Sequence, residues 1–295
     1  MVNFNSRLKD TRLHKFLLIG LFFSLVASCS GEKIDNGQVF RMPISNEPPT
    51  LDWSLATDSV SFDILTNIME GLTQYDSNME PVPAIAKRWE ISKNGKTITY
   101  YLRDDVFWTD GKPVTAHDFE YSWKRLLNPA TAAQYAYFLF DVENAQEFNS
   151  GKISDPSKVG VSAKTDHILE VRLKKPVVYF PSITTFMVTF PQRKDIVEKF
   201  GDHWTDPENI VTNGPFKLSA WEHEYKLILT ANENFYEGRP PLDTILAYVI
   251  REKTTALTLY ETGELEMVEL PPVAIPHFKN HQEYKNLPQL RGYYY

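Results

Sequence analysis

Apolar residues recur at helical spacing in several stretches of the chain. Between residues 59 and 72 they fall three and four positions apart, which predicts a helix that begins near Ser59 or Ser61 and ends near Gly71. Thr115-Ala116-His117-Asp118 is typical of a capping box with aspartate in the acidic role, and Asn128-Pro129 closes the helix that it opens. Two more helices are predicted, from Pro191 to Phe200 and from Thr254 to Glu261.

Short runs rich in β-branched and aromatic residues lie between these helices and predict strands. One pair flanks Lys93-Asn94-Gly95-Lys96, where Asn-Gly supplies the positive φ angles of a tight antiparallel turn. The predicted strands are Gln38 to Ile44, Trp89 to Ser92, Thr97 to Leu102, Val161 to Lys164, His167 to Leu173, Phe216 to Trp221, Tyr225 to Thr230 and Ile245 to Val249. This mixture indicates an α/β or α+β protein. Lobe boundaries are predicted near Met69 to Gly71 and Pro191 to Lys194, and two crossings would mean that one lobe is inserted into the other.

Residues 1–28 have the pattern of an export signal. Four basic residues precede an apolar run of 11 residues, Phe16 to Val26, which is too short to cross a bilayer as a helix but suits a signal-peptide core. The run leads into Leu25-Val26-Ala27-Ser28-Cys29, which resembles a bacterial lipobox and predicts a diacylglycerol anchor on the Cys29 thiol. Residues 29–37 then form a polar tether. The alternative is an ordinary secretory signal with an incidental cysteine.

Composition and charge exclude several classes of function and of site. The 31 Lys and Arg residues against 38 Asp and Glu give a formal net charge of -7, the wrong sign for a protein that binds nucleic acid by neutralising phosphates. Cys29 is the only cysteine, which excludes an intrachain disulfide and a zinc site built from cysteines. Aromatic residues make up 13% of the chain, which suits contact surfaces as well as core packing.

The sequence contains no recognisable catalytic or cofactor-binding motif, since HExxH, GxSxG, a Walker loop and GxGxxG are all absent. His277 and His281 lie four residues apart without a nearby carboxylate to complete a metal set, which favours a solvated pair. Asp104-Asp105 and Glu222 with Glu224 are carboxylate pairs such as glycosidases use, but spacing in sequence does not fix separation in space. We therefore expect neither an enzyme nor a bound cofactor.

Several longer motifs resemble one family in content and in order. The most specific are Ala84-Ile85-Ala86-Lys87-Arg88-Trp89-Glu90, then Asn94-Gly95-Lys96-Thr97, then the stretch Leu102-Arg103-Asp104-Asp105-Val106-Phe107-Trp108-Thr109-Asp110-Gly111-Lys112-Pro113-Val114-Thr115-Ala116-His117-Asp118-Phe119. Further motifs begin at Glu47, Tyr121, Ile210 and Tyr260. Together they resemble the signature of the oligopeptide-binding (family 5) solute-binding proteins of ABC importers, from about residue 38 to the last residue.

The resemblance implies a type II periplasmic-binding-protein-like fold, in which a mixed-sheet lobe carries an inserted β-rich α+β lobe. The first lobe would comprise residues 38–69 and 194–295, and the inserted lobe residues 70–193. Most motif residues then have structural roles. Trp89, Trp108, Phe119 and Trp123 are expected in the core of the inserted lobe, Gly95 and Gly111 in turns, and Asn213-Gly214 in a turn between strands.

Ligand contacts are expected on loops at a cleft. The resemblance implies six contact residues: Thr57, Asp58, Ser59, Tyr135, Phe186 and Tyr294. Relatives often carry an acidic residue at the position of Thr57, and some present a polar or histidine side chain in the region of Phe186. Core packing is an equally good explanation for Tyr135, Phe186 and Tyr294.

The implied function is capture of oligopeptides outside the cytoplasmic membrane and their delivery to an ABC permease and ATPase complex, with no chemical step. The protein would be a monomer, anchored by its lipid in the cell envelope. Extended peptides would bind through backbone hydrogen bonds that resemble strand addition, while roomy pockets accept the side chains. The alternatives are a receptor for a dipeptide, nickel, haem or a murein peptide, a secreted glycosidase-like enzyme, and a structural or signalling lipoprotein with a degenerate cleft.

The end of the sequence bears on this function. In the family the chain continues into a second large ligand-binding lobe, which includes the acid that receives the peptide's amino terminus. Here it ends at Tyr295, on three tyrosines rather than on a polar tail. We therefore expect the second ligand-binding lobe to be missing, and residues 29–295 to bind peptide weakly or not at all by themselves.

Overall fold

Two four-stranded sheets and one two-stranded sheet organise residues 38–286, the part of the chain that the computed structural model describes. The strands are β1 (Val39–Ile44), β2 (Thr73–Tyr75), β3 (Pro81–Pro83), β4 (Ala86–Ile91), β5 (Thr97–Leu102), β6 (Val161–Thr165), β7 (Ile168–Arg172), β8 (Phe216–Glu222), β9 (Lys226–Ala231) and β10 (Thr244–Val249). The α-helices are α1 (Ser59–Ile68), α2 (Ala116–Leu127), α3 (Ala145–Asn149), α4 (Phe180–Ile183), α5 (Lys194–Phe200), α6 (Lys253–Glu261) and α7 (Ile275–Phe278).

The first four-stranded sheet is mixed. Its strand order is β1-β10-β9-β8, with β1 parallel to β10 and the other neighbours antiparallel. Along β9 the buried residues Leu227, Leu229 and Ala231 alternate with half-buried ones, as expected for a strand with one face on the core. The second sheet, β4-β5-β7-β6, is antiparallel throughout. The predicted mixture of strands and helices is confirmed.

Local turn and cap signals set several element boundaries. Gly95 has a φ of 68° between β4 and β5, which confirms the predicted hairpin turn. Asp118 accepts a hydrogen bond of 2.8 Å from the Thr115 backbone N–H, which confirms the predicted capping box at the start of α2. Gly111 also has a positive φ, 84°, in the turn that precedes this helix.

Most of the buried side chains of both larger sheets belong to one continuous hydrophobic cluster. Trp108, Phe119 and Trp123 lie in it and are almost completely buried, as predicted. Trp89 is only half-buried because it lies on β4, an edge strand whose outer residues face solvent. The first sheet is drawn from residues 38–69 and 194–295 and the second from residues 70–193, but the limits of the two lobes stay a prediction.

Two sequence predictions are wrong in detail. The helix expected from Pro191 begins only at Lys194, because the side chains of Gln192 and Arg193 are buried in long-range contacts instead. Asn213-Gly214 does not form a turn between strands. This segment lies against the end of α1, where Asn213 Oδ1 accepts a hydrogen bond of 2.9 Å from the Glu70 N–H and the Gly214 N–H donates to the Ile68 carbonyl.

Some predictions concern residues outside the described range. The signal segment, the tether, Cys29 and Tyr294 all lie there. Within residues 38–286, no helix has both the length and the apolar character needed to cross a membrane.

Candidate functional site

The loop that leads into α1 carries three of the predicted contact residues. Asp58 is the N-cap of this helix, since its carboxylate accepts hydrogen bonds from the Ser61 N–H at 2.9 Å and the Ser61 hydroxyl at 2.7 Å. Thr57 is half-buried and Ser59 is exposed. The Asp58 carboxylate is therefore occupied by the helix start, whereas Ser59 faces solvent.

Tyr135 connects this loop to a distant part of the chain. Its hydroxyl donates a hydrogen bond of 3.3 Å to the backbone carbonyl of Thr57. Tyr135 lies in a short 3₁₀ segment, Gln134–Leu139, and its ring is half-buried. The residues predicted at 57–59 and at 135 are thus brought together across 78 positions of sequence.

Phe186 contacts Tyr135 within a cluster of aromatic rings. Its ring centroid lies 5.9 Å from that of Tyr135, 5.5 Å from that of Phe62 and 4.8 Å from that of Phe138. Tyr137 stacks on Phe138 at 4.8 Å with the planes 24° apart. We call these five residues, Phe62, Tyr135, Tyr137, Phe138 and Phe186, the aromatic cluster. Such ring pairs contribute about 0.5–1.5 kcal/mol each beyond the area they bury.

Sequence reasoning missed three members of this cluster. Phe62 belongs to the apolar spacing that predicts α1, but it is only half-buried and its ring contacts both Tyr135 and Phe186. Tyr137 and Phe138 lie two and three positions after Tyr135 in sequence. The aromatic residues at 135, 137 and 138 could have indicated a surface cluster, because three rings so close in sequence cannot all enter the core from one short turn.

Hydrogen bonds to buried residues fix the segment that carries Phe186. The Thr189 hydroxyl donates to the Phe186 carbonyl at 2.7 Å, and the Trp123 indole N–H donates to the Thr189 carbonyl, also at 2.7 Å. At the next residue, the Phe190 carbonyl accepts a hydrogen bond of 2.6 Å from the Ser122 hydroxyl. Trp123 and Ser122 are fully buried on α2, so Phe186 is held by the core rather than by a free loop.

A buried ionic network holds the chain just before the 57–59 loop. Asp52 accepts two hydrogen bonds from the Arg125 guanidinium, one of 3.0 Å from the Ser54 N–H and one of 3.3 Å from the Trp204 indole N–H. The backbone carbonyl of Asp52 also accepts from the N–H groups of residues 55 and 56. These bonds fix the course of the chain just before Thr57.

Acidic groups dominate the charge near the start of α1. Burial raises the pKa of Asp63, and the neighbouring Asp58 carboxylate adds to this rise. Within the described part of the chain, no three His, Cys, Asp or Glu side chains are grouped so that they hold a metal ion. This part of the described chain therefore combines acidic groups and the exposed Ser59 with half-buried aromatic rings.

Two cavities open on the surface of the described residues. A cavity of about 300 Å³ adjoins the aromatic cluster and shares Phe138 and Phe186 with it. A larger one, of about 730 Å³, lies beside the C-terminal half of α2 and the loop at 151–156. None of the predicted contact residues lines the larger cavity.

One family model and several known proteins match the sequence of this chain. A model of the bacterial extracellular solute-binding proteins, family 5 (middle), matches residues 80–295. The dipeptide-binding protein DppE of Bacillus subtilis is 34% identical over 268 residues, which are 86% of this chain and 49% of the relative. The oligopeptide-binding protein OppA of the same organism is 36% identical over 269 residues, or 87% of this chain and 49% of the relative.

Solved structures agree with these matches. The substrate-binding domain of an oligopeptide ABC transporter from Bacillus anthracis superposes with a TM-score of 0.80 at 36% identity, covering 84% of this chain and 48% of that one. OppA of Listeria monocytogenes bound to peptide gives a TM-score of 0.79 at 31% identity, with 84% and 49% coverage. The chain thus spans about half the length of the relatives it matches.

Proposed function

The chain belongs to family 5 of the bacterial extracellular solute-binding proteins, and from this membership we propose that it contributes to oligopeptide capture by an ABC importer. The observation that carries the proposal is the hydrogen bond from the Tyr135 hydroxyl to the Thr57 carbonyl. It joins two of the segments that the family resemblance implied as ligand contacts, and Phe186 packs on the same tyrosine ring. The relatives are named as binding proteins, so no chemical step is assigned to this chain.

We propose that Thr57, Asp58, Ser59, Tyr135 and Phe186 form one side of a peptide-binding surface. Ser59 and the half-buried rings of Tyr135 and Phe186 supply polar and apolar contacts within one small area. Aromatic rings give a large contact area for few rotatable bonds, so ordering them on a ligand costs little entropy. Asp58 acts through the helix start that it caps, by fixing the position of Ser59.

Backbone recognition is the proposed binding mode. Extended peptides that add hydrogen bonds in the manner of a strand are bound largely without regard to side-chain identity. The bound peptide is then delivered to a permease and its ATPase. Tyr294 is retained in this proposal as a further contact, on the basis of the family resemblance.

We also propose that the protein is a monomer attached to the cell envelope through a lipid on Cys29. The basic and apolar pattern of residues 1–28 and the lipobox-like sequence before Cys29 support this. A Cys29→Ala variant tests it. The variant is expected to leave the membrane fraction, whereas equal membrane recovery of both proteins would contradict lipid attachment.

An NMR titration of residues 29–295 with mixed tri- to pentapeptides tests the binding proposal. Saturable shifts are expected for the signals of Ser59, Tyr135 and Phe186, with dissociation constants of about 1 mM or weaker for a surface that contacts one side of the ligand. A mixture of the same free amino acids is the control. Unchanged signals at these three residues would overturn the proposal, and micromolar affinity would contradict the expectation of weak binding.

A further inference from the structure

The 300 Å³ cavity beside the aromatic cluster has a lining suited to one kind of ligand group. It is lined by Tyr75, Phe138, Tyr179, Ser182, Ile183, Thr185 and Phe186. We propose that this cavity is a selectivity pocket that accepts one aromatic or large aliphatic side chain of the bound peptide and rejects a charged one. The proposal rests on the proposed function, because the peptide backbone must lie on the adjoining surface.

The chemistry of the lining favours an uncharged side chain. Four of its seven residues are Tyr or Phe, and none is Asp, Glu, Lys or Arg. The Thr185 hydroxyl donates to the Ser182 carbonyl at 2.8 Å, and the Tyr179 hydroxyl donates to Asp141 at 3.0 Å. These two hydroxyls already have acceptors within the protein. A charged group that enters the cavity therefore loses water without meeting an opposite charge in the lining, since the Asp141 carboxylate lies outside it and is bonded to the Tyr179 hydroxyl.

The size of the cavity fits a side chain rather than a whole peptide. Its volume of about 300 Å³ lies at the lower end of the range for small-molecule pockets, which hold ligands larger than one side chain. Tyr75 and Tyr179 at its rim are 43% and 54% exposed, so their rings have apolar area left for a ligand to cover. The space is large enough for one ring or branched aliphatic side chain.

The segment that carries the lining residues Ser182, Ile183 and Thr185 is anchored to the core beside the cavity. The Thr73 hydroxyl lies 2.7 Å from the Pro181 carbonyl oxygen and 2.7 Å from the Thr184 hydroxyl, and both threonines are buried. A Cβ atom on Gly71 would lie 2.7 Å from the Thr184 carbonyl oxygen, so the two chain segments approach as closely as glycine permits. Because these contacts hold the segment in place without a ligand, little further ordering is needed when a ligand binds. This lowers the entropic cost of binding.

The cavity is continuous with the proposed peptide surface. Phe138 and Phe186 line the cavity and also pack on Tyr135, whose hydroxyl reaches the 57–59 loop. A peptide backbone that lies along Ser59 and Tyr135 therefore has the cavity within reach of a neighbouring side chain.

Tetra-alanine peptides with a single Phe, Leu, Glu or Lys substitution at each position in turn test this inference, by the same NMR titration of residues 29–295. At one position, Phe and Leu are expected to bind at least about tenfold more tightly than Ala, while Glu and Lys do not bind more tightly than Ala. Equal affinities for Phe and Glu at every position would overturn the pocket and leave peptide binding intact. Failure of all peptides to bind would overturn the proposed function and this inference with it.

Two variants locate the effect. Ser182→Asp places a carboxylate in the lining and is expected to abolish the preference for Phe and to favour Lys, whereas Ser154→Asp, outside this cavity, leaves the preference unchanged. If Ser182→Asp does not fold, Tyr179→Ala removes an exposed wall instead and is expected to reduce the advantage of Phe at least threefold. An unchanged preference in the folded variant would assign the selectivity elsewhere and overturn the inference.

Discussion

The carboxylate of Asp52 and the guanidinium of Arg125 are joined by two hydrogen bonds, of 2.9 and 2.6 Å, across 73 positions of sequence. Asp52 is only 5% exposed, and the Arg125 guanidinium also lies 5.8 Å from the centre of the Trp204 indole ring. The pair connects the loop before α1 to α2 and to the segment around residue 204. The loop that carries Thr57, Asp58 and Ser59 is therefore anchored to this ionic network on its N-terminal side.

Arg125→Met is expected to destabilise the protein by about 3–5 kcal/mol, because it leaves the buried Asp52 carboxylate without its partner. Urea unfolding followed by tryptophan fluorescence measures the loss. Arg251→Met is the matched control, since the Arg251 and Glu224 side chains are 61% and 66% exposed. Such exposed pairs contribute less than about 1 kcal/mol. Equal losses in the two variants would show that the Asp52–Arg125 pair has no special role.

Gly214→Ala is expected to destabilise the protein by about 3 kcal/mol, because the new Cβ would lie 2.5 Å from the Ile68 carbonyl carbon and 2.6 Å from the Met69 nitrogen. The obstacle is backbone, which cannot rotate away. Gly111→Ala serves for comparison, since that glycine has a φ of +84° but no atoms within 4 Å of the added Cβ. It is expected to cost about 1 kcal/mol from backbone strain alone. A smaller loss of stability for Gly214→Ala than for Gly111→Ala in urea unfolding would contradict the proposed clash of residue 214 with the backbone of Ile68 and Met69.

Glu70 makes stability depend on pH. Burial raises its pKa to about 7 and the nearby Glu237 adds to the rise, while Tyr236 and Arg103 act against it. The Glu70 Oε2 atom is buried and has no hydrogen-bond partner. Between pH 4.5, the ordinary pKa of the group, and pH 7, the folded protein holds a proton that the unfolded chain releases. Stability from this group is therefore complete below pH 4.5 and declines as the pH rises to 7.

Glu70→Gln removes this ionisation, so its stability relative to the original protein is expected to rise by at most about 3 kcal/mol between pH 5 and pH 8. Urea unfolding at the two pH values measures the change. Glu208→Gln, at an exposed position, is expected to show no such difference. A constant offset between Glu70→Gln and the original protein at both pH values would contradict the assignment.

Tyr135→Phe is expected to weaken peptide binding about threefold to tenfold while changing the free energy of unfolding by less than about 1 kcal/mol. The substitution keeps the ring contacts with Phe138 and Phe186 but removes the hydrogen bond to the Thr57 carbonyl. NMR titrations and urea unfolding measure the two effects separately. Tyr225→Phe, on an exposed turn outside the aromatic cluster, is the control. Equal affinities for both variants would remove Tyr135 from the site.

Elements with a local signal could be predicted from the sequence. The Asn94-Gly95 turn and the capping box at Thr115 need only residues within a few positions, and both are confirmed. The start of α5 could not be predicted, because Gln192 reaches Ser54 at 3.0 Å and Arg193 reaches Asp110, also at 3.0 Å. Such distant partners outweigh the local preference for helix.

The site was predictable in part. Family resemblance indicated Thr57 and Tyr135, but no spacing rule places a hydroxyl from residue 135 on the carbonyl of residue 57. The N-cap role of Asp58 was a missed local signal, since Asp directly before a helical stretch is a preferred cap. The cavity beside Phe186 needs Tyr75 and Tyr179 together, and only the folded chain provides that juxtaposition.

Photo-crosslinking tests the central claim most directly. A tetrapeptide that carries a benzophenone side chain is irradiated with residues 29–295, and the attachment sites are mapped by mass spectrometry of the digested protein. The account predicts attachment within residues 57–62, 135–138 and 179–186, and competition by the same peptide without the photo-reactive group. Attachment mainly in the larger cavity at residues 151–156, or scattered without competition, would contradict it.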